Sequence, residues 1–158
     1  MLAFESASKW LLFFHFLTAV IAGGCAGHLG WQLYAYVSGK RDDLSLASLH
    51  AMITSVSYTM CFVLGMLIYP VFRVKVRYEY FDRALPWATG LFEIKEHFAS
   101  IGLAVILGLT WLMWRMPDKP EGTQRRVLPL VVGLTVIFLV LLGFQVWSGW
   151  FLTTLKGI

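Results

Sequence analysis

Apolar residues fill four long stretches of the chain, roughly Trp10–Val37, Leu46–Phe72, Leu91–Trp114 and Val127–Leu152, and polar residues gather between them. Each stretch reaches the about 20 residues that a helix needs to cross hydrocarbon. Backbone groups must be satisfied within the bilayer, and runs this long and unbroken lack the alternation of a barrel strand. The pattern therefore predicts an all-α integral membrane protein, a four-helix up-down transmembrane bundle forming one domain over residues 1–158, with helices at about 10–37, 46–72, 91–114 and 127–152. Short connections make consecutive helices antiparallel neighbours. Both termini then lie on one face, called side A, and the first and third loops lie on side B.

The connecting segments differ. "SGKRDDLS" is short and polar, with Asp43 or Ser45 placed to cap the second helix. "RMPDKPEGTQRR" holds two prolines and a glycine and reads as the loosest segment. "RVKVRYEYFDRALPWATG" alternates Arg73, Lys75 and Arg77 with Val74, Val76 and Tyr78, the pattern of an extended or interfacial segment lying along side A. Its Tyr78, Tyr80, Phe81 and Trp87 are residues suited to the head-group level.

Composition agrees with the pattern. Of 158 residues, 58% are hydrophobic and 14% charged, where a soluble domain has about a quarter charged. Mean hydropathy is +0.70. Glu5 beside a single Lys9, followed by so long an apolar run, argues that the first helix is retained rather than cleaved. The formal charge of +4 is divided between the two faces almost evenly, so charge does not orient the protein. That division also excludes a nucleic-acid surface, and it favours anionic lipid head groups or an acidic partner. Cys25 and Cys61 lie inside predicted helices without a CxxC or CxxCH spacing, which leaves covalent haem attachment and a cysteine zinc site without a signature.

Candidate chemistry rests on four histidines, all within or at the edge of predicted spans. Ionisable residues inside the membrane are rare and point to function. At 1.5 Å per residue, His15 lies about 8 Å inside side A and His97 about 9 Å inside the same side. His50 lies about 6 Å inside side B, and His28, about 20 Å along the helix from His15, falls near it. Depth thus resolves the histidines into two cross-helix pairs, His15 with His97 and His28 with His50. Neutral imidazoles at one depth on facing helices are suited to axial ligation of haem iron. Arg73 and Arg77 (with Lys75) lie above the His15/His97 pair, where haem propionates need cations. Thirteen residues leave His15 and His28 roughly 140° apart around helix one, so the two pairs need different partners for the two ends of that helix, or a phase reset at Gly23-Gly24. Gly23, Gly24, Gly27 and Gly30 leave space for a flat macrocycle, and Gly23-xxx-Gly27 is equally a helix-packing pattern.

Other readings stand beside this one. Glu93 and His97 are four apart on one helical face, so Glu93 can orient His97 or join His97 and His15 around a metal ion such as zinc. Gln145 is the strong hydrogen-bonding group deep in helix four and is placed to touch a quinone.

The layout of "HFLTAVIAGGCAGH", His50 and His97 resembles that of small membrane b-type cytochromes. The resemblance implies one or two b haems, with quinone as a further cofactor, in an electron-transfer subunit. It would relay electrons to a redox protein partner or within a larger membrane complex. Two alternatives belong to other classes: a cofactor-free structural or assembly subunit of a larger membrane complex, whose histidines hydrogen-bond between helices, and a metal-handling membrane protein or small membrane enzyme built on Glu93 and His97.

Overall fold

A computed structural model describes residues 7–116 and 121–156. Four long helices form the bundle: α1 Ser8–Val37, α2 Ser45–Phe72, α3 Pro86–Arg115 and α4 Glu121–Leu155. All four are long and apolar enough to cross a membrane. Helix α1 lies along α2, α2 along α3, α3 along α4, and α4 returns to α1. The backbones of α1 and α3 do not approach one another, nor do those of α2 and α4. The bundle is a square with two diagonals, the up-down arrangement that short loops favour.

Helix ends follow local chemistry. Gly39 adopts φ +68°, and Lys40 N–H donates to the Ala35 carbonyl while Gly39 N–H donates to Tyr36. This is the left-handed cap that closes a helix with a glycine. Leu44 holds the cap position of α2, and Asp43, one residue before it, accepts the Ser45 N–H at 2.8 Å and the Ser45 hydroxyl, so the first helical N–H is still satisfied. These hydrogen bonds from Ser45 hold its carboxyl below the usual carboxylate range. Leu85, at φ −141° and ψ 65°, breaks the chain direction before Pro86 opens α3. A residue preceding proline is pushed out of the helical region, and proline suits the first helical position.

The second loop corrects the sequence expectation. Arg73–Phe81 is not extended; it is a π-helical continuation of α2, followed by a single turn at Asp82–Ala84. Pro70, three residues earlier, has no N–H to give the α-helical ladder, and wider hydrogen bonding takes over just beyond it. Val76 and Phe81, five apart, become fully buried neighbours on one face of the wider turn, and Phe72, Phe81 and Phe92 pack there as rings. The alternation of charge and valine thus has a helical cause. The third polar segment also differs, since α4 already begins at Glu121; residues 117–120, expected to be loose, lie outside the described residues.

Small residues let α1 and α2 approach. The buried pairs are Ala22/Ala26 and Ala47/Ala51, each four apart. Gly23, Gly24 and Gly27 do not play this part, because an added Cβ there would meet nothing within 4 Å. The core between the helices holds Leu29, Leu33, Ile106, Leu109, Met113, Val131 and Phe138. One close contact ties three helices together. Tyr58 of α2 donates its hydroxyl to the Ala99 carbonyl of α3 at 3.1 Å and meets Phe138 of α4 edge-on. It passes over Gly102, where a Cβ would fall 2.6 Å from the hydroxyl oxygen.

Gly102→Ala should therefore destabilise the bundle by about 1–3 kcal/mol in a detergent-micelle unfolding titration. In a Tyr58→Phe background the cost should shrink by about 1 kcal/mol, because the clashing oxygen is gone. Equal costs in both backgrounds would show that the tyrosine does not set this contact.

Candidate functional site

Polar side chains inside the bundle fall into two groups, one toward each face. The group toward side A draws on all four helices. His15 of α1 places Nδ1 2.8 Å from the Cys61 carbonyl of α2 and 3.4 Å from Cys61 Sγ. Gly65 makes room for this imidazole, since a Cβ there would lie 3.3 Å from His15 Cε1. Lys95 of α3 runs into the seam with α4, where its Nζ lies 5.9 Å from the Phe92 ring centre. Gly149 leaves that space open, because a Cβ at Gly149 would be 3.4 Å from Nζ. Gln145 of α4 donates its amide to the Lys95 carbonyl at 2.7 Å. Among the described residues, no carboxylate oxygen lies within 4.0 Å of Lys95 Nζ.

Matched depth did not make His15 and His97 a pair. They stand on the diagonal helices α1 and α3, whose backbones do not approach. His15 turns to α2, whereas His97 is exposed on the outer face of α3 and sends Nδ1 to its own helix, 2.7 Å from the Glu93 carbonyl. The Glu93 carboxylate does not orient His97. It accepts from Arg77 at 2.6 Å, and Arg77 Nε lies 3.7 Å from Asp82. Partial desolvation opposes the charge on Arg77, but the Glu93 hydrogen bond and the two carboxylates outweigh it and raise its pKa. Arg77 thus ties the π-helical segment to α3, and Arg73 is exposed.

The group toward side B is where depth matching did bring residues together. His28 of α1 and His50 of α2 have ring centres 5.4 Å apart with planes inclined at 34°. The rings are too near for a macrocycle to stand between them. His50 Nδ1 lies 2.7 Å from the Leu46 carbonyl and 3.3 Å from Gln32 Nε2. Gln32, one turn beyond His28, is 8% exposed. Sequence reasoning overlooked Gln32, Thr54 and Lys95 as members of these groups. Their signal was present, as residues four along from His28 and His50, and as a cation nine positions into α3.

Among the described residues, no three His, Cys, Asp or Glu side chains gather into a metal cluster. Two shallow concavities among the described residues, of about 260 and 270 Å³, lie near the side-B mouth, one lined by Trp111, Arg115 and Val127, the other by Tyr36, Asp43 and Gln124. Neither is lined by a histidine. Comparison with protein-family models, curated proteins and solved structures finds no match.

An ammonium in hydrocarbon without a counter-charge costs about 2.5–3.5 kcal/mol on insertion scales. Lys95→Met should therefore raise stability by about 1–3 kcal/mol in the same unfolding titration, keeping the aliphatic packing. A loss of stability instead would mean that the ammonium holds a partner of its own.

Proposed function

We propose that the protein is a subunit of a larger membrane assembly, joined to its partner through the outer face of α3. The observation that carries this reading is His97. It lies 11 residues into a helix of 30, about 16 Å from its start, and about 9 Å inside the hydrocarbon edge when that helix is centred. There it is exposed on the outside of the bundle. Polar groups at such depth normally face a bundle interior. Ser100, Ala104 and Gly108 continue the same exposed face at four-residue spacing. Small residues at that spacing admit a second helix at close range. With Nδ1 committed to the Glu93 carbonyl, His97 offers Nε2 as an acceptor, and Glu96 is the residue next to it in the chain. The occupant that fits is a partner's transmembrane helix carrying a hydrogen-bond donor or a cation at this level. The inward histidines support the reading as well. His15 bonds α1 to α2, in line with the polar residues that join neighbouring helices at Tyr58, Thr110 and Gln145.

A second reading keeps the b-type cytochrome, on one specific observation. His15, His50 and His97 each place Nδ1 within 2.8 Å of a backbone carbonyl. A carbonyl acceptor fixes the proton on Nδ1 and leaves Nε2 with the lone pair that iron binds. In this reading the haem is shared across the α3 face, with His97 as one axial ligand and the partner subunit supplying the other.

Extraction from its own membrane in mild detergent should yield the 17.9 kDa chain within a larger particle by native mass spectrometry. Gly108→Leu should release the chain from that particle, while Gly24→Leu on the exposed face of α1 should not. A wild-type chain that is monomeric, or an assembly indifferent to Gly108→Leu, overturns the proposal. A reduced-minus-oxidised spectrum of the same particle decides the second reading: a b-type band lost in His97→Ala supports it, and a colourless intact particle removes it.

A further inference from the structure

Two buried side-chain polar atoms among the described residues lack a hydrogen-bond partner, Gln32 Oε1 and Thr54 Oγ1. Gln32 follows His28 by four residues on α1, and Thr54 follows His50 by four on α2. Residues four apart share a helical face. Both orphaned atoms therefore lie one turn from the two imidazoles that the fold brings together. Buried polar groups are nearly always satisfied, and an orphan calls for a water or an ion. The Gln32 oxygen, one turn from His28, is the orphan that a cation held by the pair would reach.

From these positions we infer that His28, His50 and Gln32 form a binding site for a divalent transition-metal ion of the zinc class. The inference is independent of the α3 interface. Imidazole nitrogen lies about 2.0–2.1 Å from zinc, which puts the metal about 3.2 Å from each ring centre. Ring centres 5.4 Å apart then subtend an angle of about 115° at the metal, near the tetrahedral value. Two imidazoles in trans across a haem would stand about 6.4 Å apart by the same sum, with the macrocycle between them. The observed spacing suits an ion.

The donor atoms are prepared in the same sense. His50 Nδ1 lies 2.7 Å from the Leu46 carbonyl, so the proton sits there and Nε2 keeps its lone pair. A protonated Nδ1 cannot also accept from Gln32 Nε2, 3.3 Å away. The Gln32 oxygen is buried without a partner, and a cation held beside the two imidazoles would give it one. His28 is exposed at the edge of the α1/α2 seam, beside His50. Two nitrogens and one amide oxygen occupy three tetrahedral positions, and the fourth remains for water or an exogenous ligand. Such an open position belongs to zinc sites that bind or transform something.

The experiment is a titration of the metal-stripped, full-length protein in detergent with Zn²⁺, and with Co²⁺ as an optical probe of geometry. One equivalent should bind per chain, and Co²⁺ should show the intense visible bands of a tetrahedral site. His28→Ala and His50→Ala should each weaken binding by at least about tenfold, and Gln32→Ala by about tenfold, while His97→Ala should leave it unchanged. Binding should weaken in acid, because protons compete with the metal for the ligand nitrogens. His28→Cys guards against loss of fold, because His28 is exposed and a thiolate at that position should add a sulfur-to-cobalt charge-transfer band. Absence of stoichiometric binding overturns the inference. So does binding indifferent to both His→Ala changes, or a His28→Cys protein that binds Co²⁺ without the new band.

Discussion

Hydrocarbon offers no hydrogen bonds, and this constraint organises the whole structure. It makes the spans helical, because every backbone group must find its partner within its own helix. It also governs the side chains. Tyr58, Thr110 and Gln145 each reach a carbonyl on a neighbouring helix, at Ala99, Ala51 and Lys95 respectively. Thr18, Ser148 and Thr135 turn back to carbonyls of their own helices. Such bonds average only about 0.6 kcal/mol each in a membrane, so they do not by themselves hold the bundle together. They do select one rotation of each helix against the next, since any other would leave an unsatisfied group in lipid. Alanine pairs and Gly102 then permit the close approach that the selected rotations demand.

The number and extent of the helices were legible in the chain because apolar run length is a direct image of bilayer thickness. The π-helical segment was not. An alternation of valine with basic residues has period two, and a strand is the ordinary source of that period. Here Pro70 upsets the hydrogen-bond ladder of α2 and the chain continues in a wider helix. Arg77 then closes the segment onto α3 through Glu93, a contact between positions sixteen apart that a local pattern does not register.

Depth was the legible part of the histidine arrangement, and rotation was the rest. Rise along a helix follows from counting, so His28 and His50 were placed level and are in contact. His15 and His97 were also placed level, but helix order decides which helices face each other, and a square with short loops puts α1 and α3 on a diagonal. The phase difference within α1 pointed the same way. His15 continues the buried line of Thr18, Ala22, Ala26 and Leu29 at spacings of three and four, while His28 lies off that line and is exposed.

The two faces of the problem meet in how each histidine is satisfied. His15 spends Nδ1 on another helix and has Cys61 beside it, which is the behaviour of a packing residue. His50 and His97 spend Nδ1 on their own helices four residues back. That bond fixes the ring without joining anything, and it turns the unprotonated nitrogen outward from the helix. Helix cohesion therefore does not account for these two imidazoles. One stands beside a second imidazole and an orphaned amide, the other beside a ridge of small residues. The proposed chemistry accordingly lies at the His28/His50 seam and at the outer face around His97, and none at the His15/His97 level.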